Sequence, residues 1–373
     1  MRILVVKLAD LGDALTITPA LRALRLRFPA ARIDALVTRV GAEALAGLDS
    51  LDGTVRFEKS QFDRLRPSAG AIRDALALGL RLRRQRYDRV FLCHHLFTAA
   101  GRAKYAALLM ATGAAWRAGV SETKPGFLTE VAPEHGYGVQ HEADYWLAVA
   151  GLAGAENPCP RLEIAVPAAA RDRAAALVVE LGLAGNQVIA IYPGAGSYSL
   201  ARRWPLTGFA EAGRQLLAAD SGGARRIVVV GGPDERDDAE ELCARLGPRG
   251  HNLAGQTDLK TLAALLQRCD LFIGNDGGAM HVAVAVGVPV VAIFGPSNHV
   301  SWGPYGGRLW GEMGAQDASS LVIRHELPCS PCLYRGYLPG TPRGCRARDC
   351  LTLIAPDQVV AAAEHLLARP VGR

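Results

Sequence analysis

The stretch Phe272-Ile-Gly-Asn-Asp-Gly-Gly-Ala-Met-His281, with the Phe294-Gly-Pro296 that follows it, decides the fold of this chain. An apolar strand, Leu271–Ile273, ends in a polar turn with two glycines, and an apolar helix, Ala279–Val286, begins directly after the turn. A Gly-Val-Pro turn then leads into a second apolar strand, Val290–Phe294. A strand, a glycine-rich loop, a helix and a strand in this order are typical of a parallel α/β sheet.

The turn itself carries groups that suit an anionic ligand. Gly277 and Gly278 allow the backbone to come close to a ligand, and the start of the helix presents N–H groups and the positive end of the helix dipole. Asp276 and His281 lie at the same helix start. Because a purely structural turn needs neither an acid nor a histidine, the sequence predicts a binding site for a phosphorylated ligand.

Composition limits the class of protein. The chain has 373 residues, half of them hydrophobic, and is therefore long enough for two well-buried domains. Its formal charge of +6 suits an anionic small molecule or an anionic surface, and it is too weak to indicate a nucleic-acid partner.

The sequence also bears on localisation. The apolar run after Arg2 ends at Lys7 and is too short for a signal peptide, so we expect a cytoplasmic protein. No run of about 20 apolar residues occurs, so we expect no membrane span. The arginine-rich segment Leu80–Arg86 is interpreted as the solvated end of a helix that begins near Ala71. Peripheral contact of this segment with an acidic inner-membrane surface is the alternative.

Both halves of the chain alternate strands with helices, which predicts parallel sheets with helices on both faces. In the first half the predicted strands are Ile3–Val6, Ile33–Thr38, Val55–Phe57 and Arg89–Cys93, and the predicted helices are Ala14–Phe28 and Ala71–Gln85. In the second half the further strands are Val188–Tyr192 and Arg226–Val230, and the further helices are Arg171–Leu181, Pro205–Ala218, Ala239–Leu246 and Pro356–Leu367. Pro19 is expected to break the first helix locally.

A group of prolines between residues 158 and 170 marks the boundary between the halves. We therefore predict an α/β protein with two doubly wound domains that face each other across a cleft, where ligands of such sheets bind. The predicted domains are residues 1–165 and 166–355, the second with a cysteine loop at 327–351, and the terminal helix in residues 356–373 is expected to pack back on the first domain.

The loop after the first strand, Leu8–Asp13, carries acids in place of a G-x-G-x-x-G fingerprint. The absence of the fingerprint argues against a dehydrogenase. Asp13 suits two roles, an N-cap of the helix that follows or a general base, and the loop alone does not decide between them.

Two loops of the second half also follow predicted strands. Pro193–Ser197, with Arg202 and Arg203 nearby, suits a diphosphate, and a plain turn with exposed arginines is the alternative. In the segment Gly231–Glu235 the acid Glu235 either caps a helix or accepts hydrogen bonds from a sugar or ribose.

Taken together, these four loops resemble the heptosyltransferase family, glycosyltransferase family nine. The resemblance covers nearly the whole chain and depends on the order of the motifs. They are Arg2-Ile-Leu-Val-Val-Lys7 with Leu11-Gly-Asp13 and Thr18-Pro-Ala-Leu21, Pro193-Gly-Ala-Gly196 with Arg203-Trp-Pro205, Gly231-Gly-Pro-Asp-Glu235, and Gly274-Asn-Asp-Gly-Gly-Ala-Met-His281 with Phe294-Gly-Pro296.

The resemblance implies a GT-B fold, made of two Rossmann-like domains, and the transfer of a heptose from ADP-heptose with inversion at the anomeric carbon. It implies that Asp13 is the general base and that no cofactor takes part in the chemistry. The donor-binding residues that it implies are Ser197, Arg202, Glu235, Asp276, Gly277, Gly278 and His281, and Lys7 and Asp10 are expected on the acceptor side.

The chain departs from the family pattern at three of these positions. Arg202 stands where relatives often have Lys, which keeps the charge. Gly277 stands where they often have Thr, which leaves backbone N–H groups to hold a phosphate. Asp10 stands where they usually have Ser, so the acceptor specificity is expected to differ.

Cys329-Ser-Pro-Cys332 with Cys345 and Cys350 forms a compact cysteine group in the loop 327–351. A cytosolic chain does not rely on disulfides, so four thiols this close in sequence predict a structural zinc or iron site. Free thiols or a redox pair are the alternatives. The other cysteines, Cys93, Cys159, Cys243 and Cys269, are interpreted as small core residues.

The predicted function is an inverting heptosyltransferase whose acceptor is the lipopolysaccharide inner core. Members of the family with similar cysteine loops heptosylate autotransporter proteins, so a protein acceptor is the first alternative. A sugar-nucleotide epimerase would need paired acid and base groups, and only Asp13 is well placed. A non-catalytic nucleotide-sugar-binding protein would have no use for that base.

Overall fold

The computed structural model describes residues 1–57, 68–196, 198–335 and 338–369 of the chain. The chain divides into two compact units, Met1–Ala165 and Val166–Arg373. Each unit is built on a parallel sheet of its own.

The first unit alternates strands and helices throughout the part that the structure describes. Its strands are β1 (Arg2–Lys7), β2 (Arg32–Val37), β3 (Gly53–Arg56), β4 (Arg89–Leu92), β5 (Trp116–Val120) and β6 (Glu130–Ala132). Its helices are α1 (Leu11–Thr16), α2 (Thr18–Arg27), α3 (Arg39–Leu45), α4 (Ala69–Gln85), α5 (Ala99–Thr112) and α6 (Glu142–Gly151).

The strand order of the first sheet is β3-β2-β1-β4-β5-β6, and all of these pairs are parallel. The central strand β1 is an apolar run, Ile3–Val6, because helices cover both faces of the sheet. The order reverses between β1 and β4, and such a switch point is where doubly wound sheets bind ligands. The loops after β1 and β4 therefore lie side by side at the switch point of this unit.

The expected break in the first helix occurs where the sequence predicted it. Helix α1 ends at Thr16, α2 begins at Thr18, and Pro19 stands in the first turn of α2, where its missing N–H costs no hydrogen bond. The helix starts earlier than predicted, because Asp10 is the N-cap. Asp13 therefore belongs to the first turn of α1 and does not cap it.

The second unit follows the same plan. Its strands are β7 (Gln187–Tyr192), β8 (Arg225–Val229), β9 (Gly250–Asn252), β10 (Leu271–Asn275), β11 (Val290–Phe294), β12 (Arg308–Leu309) and β13 (Ser320–Arg324), and β14 (Tyr334–Arg335) and β15 (Leu338–Pro339) form a small antiparallel pair. Its helices are α7 (Ala168–Glu180), α8 (Leu206–Ala219), α9 (Arg236–Leu246), α10 (Leu259–Leu266), α11 (Gly278–Val286), α12 (His299–Trp302), α13 (Asp349–Thr352) and α14 (Pro356–Leu367).

The second sheet has the order β12-β13-β11-β10-β7-β8-β9 and is also parallel. Its order reverses between the neighbours β7 and β10. The two glycine-rich loops that the sequence singled out follow these two strands. They therefore lie side by side at the switch point of the second sheet.

The prediction that the terminal helix packs on the first domain is wrong. Helix α14 buries Val359, Ala363 and Leu366 in the core of the second unit, where it packs against α8 and lies over β10, β11 and β13. An ion pair between Arg225 of β8 and Glu364 fixes the helix further. The apolar face of α14 is thus buried against the sheet of its own unit.

Helix length gives one further result. None of the helices in the described part of the chain is both long enough and apolar enough to cross a membrane.

Candidate active site

The side chain of Asn275, the last residue of β10, ties together three segments of the second unit. Its fully buried amide donates to the carbonyl oxygens of Pro193 (2.7 Å) and Gly194 (3.1 Å) and accepts from the N–H of Trp204 (2.9 Å). A buried amide needs these partners, since an unpaired polar group in the core is costly. The loop after β7 and the segment that leads into α8 are therefore fixed to the end of β10. Sequence analysis quoted Asn275 within its motif but gave it no role.

Arg202 and Asp276 form a buried ion pair beside these loops. Arg202 Nη1 lies 3.2 Å from Asp276 Oδ2, and Arg202 Nη2 donates to the carbonyl oxygen of Ala195. Burial disfavours the guanidinium cation, but the carboxylate of Asp276 more than offsets this effect and raises the pKa of Arg202. A permanent positive charge is thus held in place at the loop after β7, where it suits a phosphate group.

The start of helix α11 completes this arrangement. Its N-cap is Gly277, which has no side chain to cover the N–H groups of the first turn. A β-carbon on Gly277 would lie 3.0 Å from Cε1 of Tyr192, so the packing of the tyrosine ring favours glycine at this position. Asp276 directly precedes the N-cap, and Gly278 is the first residue of the helix. His281 is buried one turn further along the helix.

The loop after β7 is shaped by Tyr192. Burial, together with the nearby charge of Glu235, raises the pKa of Tyr192 to about 12. The hydroxyl therefore stays protonated, and it accepts a hydrogen bond of 3.0 Å from the N–H of Gly196. Gly196 has φ = +69°, a left-handed conformation that favours glycine. The predicted donor residue Ser197 lies outside the described residues.

Glu235 is buried after β8 and is engaged on two sides. Its Oε2 accepts from the N–H of Gly232 at 2.8 Å, which is the capping role that the sequence left open. Its Oε1 lies 3.2 Å from Nη2 of Arg203. A β-carbon on Gly194 would lie 2.7 Å from Glu235 Cγ, so this acid also borders the loop after β7. The structure thus brings Arg202, Glu235 and Asp276 to the loops at one switch point.

The first unit holds Asp13 in a different setting. Lys7, at the end of β1, is only 2% exposed, and its Nζ lies 3.1 Å from Oδ1 of Asp13, which is 28% exposed. The same ammonium stands 4.2 Å from the ring centroid of Trp146, and Trp146 Nε1 donates to Oγ1 of Thr16 at 3.0 Å. Asp13 is therefore a partly exposed carboxylate fixed by a buried cation. The predicted acceptor residue Asp10 is exposed at the helix N-cap.

A second polar cluster in this unit escaped sequence analysis. His95 follows β4 and lies between two buried carboxylates, with Nδ1 2.5 Å from Glu134 Oε2 and Nε2 3.2 Å from Glu142 Oε2. Its ring also lies 5.0 Å from the Trp146 ring, centroid to centroid. Burial lowers the pKa of His95, but the two carboxylates outweigh burial and raise it. A histidine in the loop after a switch-point strand is the signal that would have found this cluster.

The cysteine loop lies against the segment that follows β11 in the second unit. The N–H groups of Cys332 and Leu333 both donate to the carbonyl oxygen of Pro296, and Ser330 Oγ donates to that of Gly295. The N–H of Arg348 donates to Sγ of Cys345 at 3.2 Å. The segment after β11 is therefore held by the cysteine loop.

All eight cysteines are free thiols. Burial, and then the charges of Cys332, Cys345 and Cys329, raise the pKa of Cys350 to about 11. Within the described ranges, however, no three Cys, His, Asp or Glu side chains stand close enough together to hold a metal ion. The interpretation of Cys159 as a core residue is wrong, because this residue is exposed in the proline-rich segment near the end of the first unit.

Two Rossmann-like units, each with its loops at a switch point of a parallel sheet, are the architecture of the GT-B fold. The sequence profile described as "Glycosyltransferase family 9 (heptosyltransferase)" matches residues 75–327. The chain belongs to this family. The predicted fold class and family are confirmed.

Two comparisons show how close the relatives are. Lipopolysaccharide heptosyltransferase 2 of Escherichia coli K12 is 27% identical over 307 residues, which cover 80% of this chain and 84% of that protein. The solved structure of E. coli ADP-heptose lps heptosyltransferase II has a TM-score of 0.72 at 23% identity, and the match covers 98% of each chain. The second comparison is evidence for the fold.

A more distant structural neighbour contains iron. It is the iron-containing dodecameric glycosyltransferase TibC from enterotoxigenic E. coli. Its TM-score is 0.55 at 15% identity, with 98% of this chain and 75% of that chain covered. At this identity the likeness is one of fold.

We predict that Asn275→Leu destabilises the protein and weakens donor binding together. Leucine has a similar size but leaves two carbonyl groups and one N–H in the core without a partner, each at a cost of about 1–3 kcal/mol. Chemical denaturation and calorimetry with ADP measure the two effects. The control is Asn186→Leu, whose amide bonds are on the surface and whose loss is expected to cost under about 0.5 kcal/mol. Equal stability of the two variants would contradict the role of Asn275.

The His95 cluster makes the stability of the protein depend on pH. Because the folded pKa of His95 is raised above its ordinary value of 6.5, the stabilisation is fully present below about pH 6.5. The stabilisation is lost as the pH rises through the folded pKa. His95 then loses its proton, and its positive charge no longer offsets the negative charges of Glu134 and Glu142. Denaturation curves of the wild type over this range should show a fall in stability with rising pH. His95→Gln should be less stable at low pH and should lack this fall; a parallel pH profile in both proteins would refute the assignment.

Proposed function

We propose that the protein transfers a heptose from ADP-heptose to a hydroxyl group of the lipopolysaccharide inner core, with inversion at the anomeric carbon. The observation that carries this proposal is the carboxylate of Asp13, partly exposed and paired at 3.1 Å with the buried ammonium of Lys7. The names of the relatives, which are lipopolysaccharide heptosyltransferases, support the donor and the acceptor.

The second unit holds the donor in this proposal. The diphosphate lies at the N-terminus of α11, where the N–H groups of Gly277 and Gly278 and the fixed cation of Arg202 face negative charge. As the sugar leaves, negative charge grows on the ADP, and dipoles and charges that are already in position stabilise it without a reorganisation cost. Asp276 serves this step by holding Arg202. Glu235, at the loop after β8, is assigned to the ribose or sugar hydroxyls.

The first unit supplies the base. The acceptor oxygen attacks the anomeric carbon on the face opposite to the leaving ADP and gives up its proton to Asp13. Lys7 is too deeply buried to contact an acceptor, so we assign it to holding Asp13, in place of the acceptor-side role that the sequence suggested. Asp10, exposed at the start of α1, keeps its assignment to the acceptor side.

The acceptor has one alternative, a protein hydroxyl. The cysteine loop favours this alternative, because it resembles the loops of family members that heptosylate proteins. The fold is also related to that of the iron-containing glycosyltransferase TibC. We place the protein in the cytoplasm, with peripheral contact at the inner membrane, because its proposed acceptor is a lipid-linked saccharide.

We further propose that Cys329, Cys332, Cys345 and Cys350 bind one structural zinc or iron ion. Four thiols within one loop match the ligand set of a closed tetrahedral site. In the described residues they do not stand in ligand geometry, so ligation requires the loop to tighten around the ion. No step of the transfer is assigned to this ion. It would supply folding energy to a loop that has little apolar core of its own.

We predict that Asp13→Asn slows transfer by roughly a hundredfold or more, the scale of a general base, and leaves the affinity for ADP-heptose unchanged. Turnover of ADP-heptose with an acceptor and calorimetry with the donor measure the two quantities. The control is Asp49→Asn, an exposed aspartate of the same unit, which should transfer at the wild-type rate. Near-normal turnover by Asp13→Asn would exclude this residue as the base.

Lys7→Met provides a second arm of the same experiment. Methionine can fill the space beside Trp146 but removes the cation that holds Asp13. We expect a lower rate of transfer at saturating donor, with donor affinity unchanged. If only the KM for the acceptor changed, Lys7 would be assigned to acceptor binding instead of to holding Asp13.

Elemental analysis tests the metal proposal, with about one zinc or iron ion expected per chain. Cys332→Ser should lose the ion and lower the melting temperature, because a ligand of the loop is removed. Cys159→Ser, which changes an exposed thiol outside the loop, should keep both the ion and the stability. Metal-free wild-type protein, with Cys332→Ser as stable as wild type, would favour free thiols instead.

A further inference from the structure

Helix α4 of the first unit has two different faces. Its buried face includes Leu78 and Leu82, which pack in the core below the sheet. Its outer face carries Ile72, Leu76 and Leu80 at intervals of four residues, and these are 49%, 65% and 61% exposed. Residues at this interval form a stripe on one side of a helix. Three large aliphatic side chains are thus presented to solvent in a row, although the helix is already anchored by its other face.

Arginines surround and extend this stripe. The helix and the residue that follows it contain five arginines and a single acid, Asp74, which lies 3.8 Å from Arg73. Arg81, Arg83 and Arg84 are exposed in the last turns. The formal charge of this segment is therefore +4, the larger part of the +6 carried by the whole chain.

Helix α5 widens the surface. It packs beside α4, with a β-carbon on Gly79 falling 3.4 Å from the methyl group of Ala111. Met110 of α5 is 55% exposed, and Arg102 and Lys104 are exposed on the same helix. The apolar and basic character thus continues from one helix to the next.

We propose that the outer face of α4, defined by Ile72, Leu76 and Leu80 with Arg81 and Arg84, docks on an anionic phospholipid bilayer. A helix that lies in a membrane surface buries an aliphatic face in the acyl boundary and places cations against lipid phosphates. The aliphatic stripe lies on the side of α4 that faces away from the core, and the exposed arginines flank it and extend beyond it in the last turns. Helix α4 has no aromatic residue on which a base could stack, so nucleic acid does not fit. The inference deepens the proposed function, in which the acceptor carries a lipid.

Vesicle sedimentation tests this surface with the full-length protein. Wild type should bind vesicles that contain phosphatidylglycerol and release them as salt is raised, and it should bind phosphatidylcholine vesicles at least tenfold less. Leu76→Gln with Leu80→Gln removes the apolar stripe, and Arg81→Gln with Arg84→Gln removes charge. Glutamine is a good helix former, so the fold is kept, which circular dichroism and thermal melting verify. Each pair should weaken binding to the anionic vesicles at least tenfold.

The matched control is Val179→Gln on α7 of the second unit, which changes an aliphatic residue that is 75% exposed and should bind as wild type does. Wild type that stays in solution with anionic vesicles, or double variants that bind as wild type does, would overturn the proposal and point to a protein partner. Transfer to a detergent-dispersed acceptor should be unchanged in all variants. The two proposals can also fail separately. If vesicle binding followed the expected order but neither the wild type nor any variant transferred heptose, the proposed function would be wrong and the docking surface would be supported.

Discussion

The loops at the switch point of the second unit depend on one buried amide. Asn275 ends β10, and its side chain holds the carbonyl oxygens of the loop after β7 and the N–H of Trp204. Two loops that are about 80 residues apart in sequence are thereby fixed against each other. The cation of Arg202 is carried by the same segment, and the pairing with Asp276 sets its place. Removing the amide therefore loosens a charge arrangement as well as a backbone turn.

The two units use buried charge in opposite ways. In the second unit a buried cation is held by an acid and a carbonyl, which favours a site prepared for anions. In the first unit the cation Lys7 is buried, while its partner Asp13 keeps contact with solvent. The accessible group is thus the carboxylate, as a proton acceptor requires. The tryptophan ring under Lys7 links this pair to the His95 cluster.

The sequence predicted most of what lies near its motifs. The strands Ile3–Val6 and Val188–Tyr192, and the helix break before Pro19, were visible because apolar runs and proline act locally. The sequence did not predict where α14 packs, because the apolar face of an amphipathic helix does not determine which sheet it covers. Nor could it find the cluster of His95, Glu134 and Glu142, because only folding brings these side chains together. The burial of Lys7 was missed for the same reason, as a charge at a strand end is usually solvent-exposed.

The position of α14 has a consequence for the order in which the protein is made. Every residue of the first unit's core precedes residue 166, so that unit is complete once its own sequence has emerged from the ribosome. The second unit has to wait for its last helix, because Val359 and Leu366 close the core beneath β10 and β11. Domains fold as units during synthesis, the N-terminal one first. The half that carries Asp13 is thus formed on the growing chain while the sheet of the second unit is still open to water.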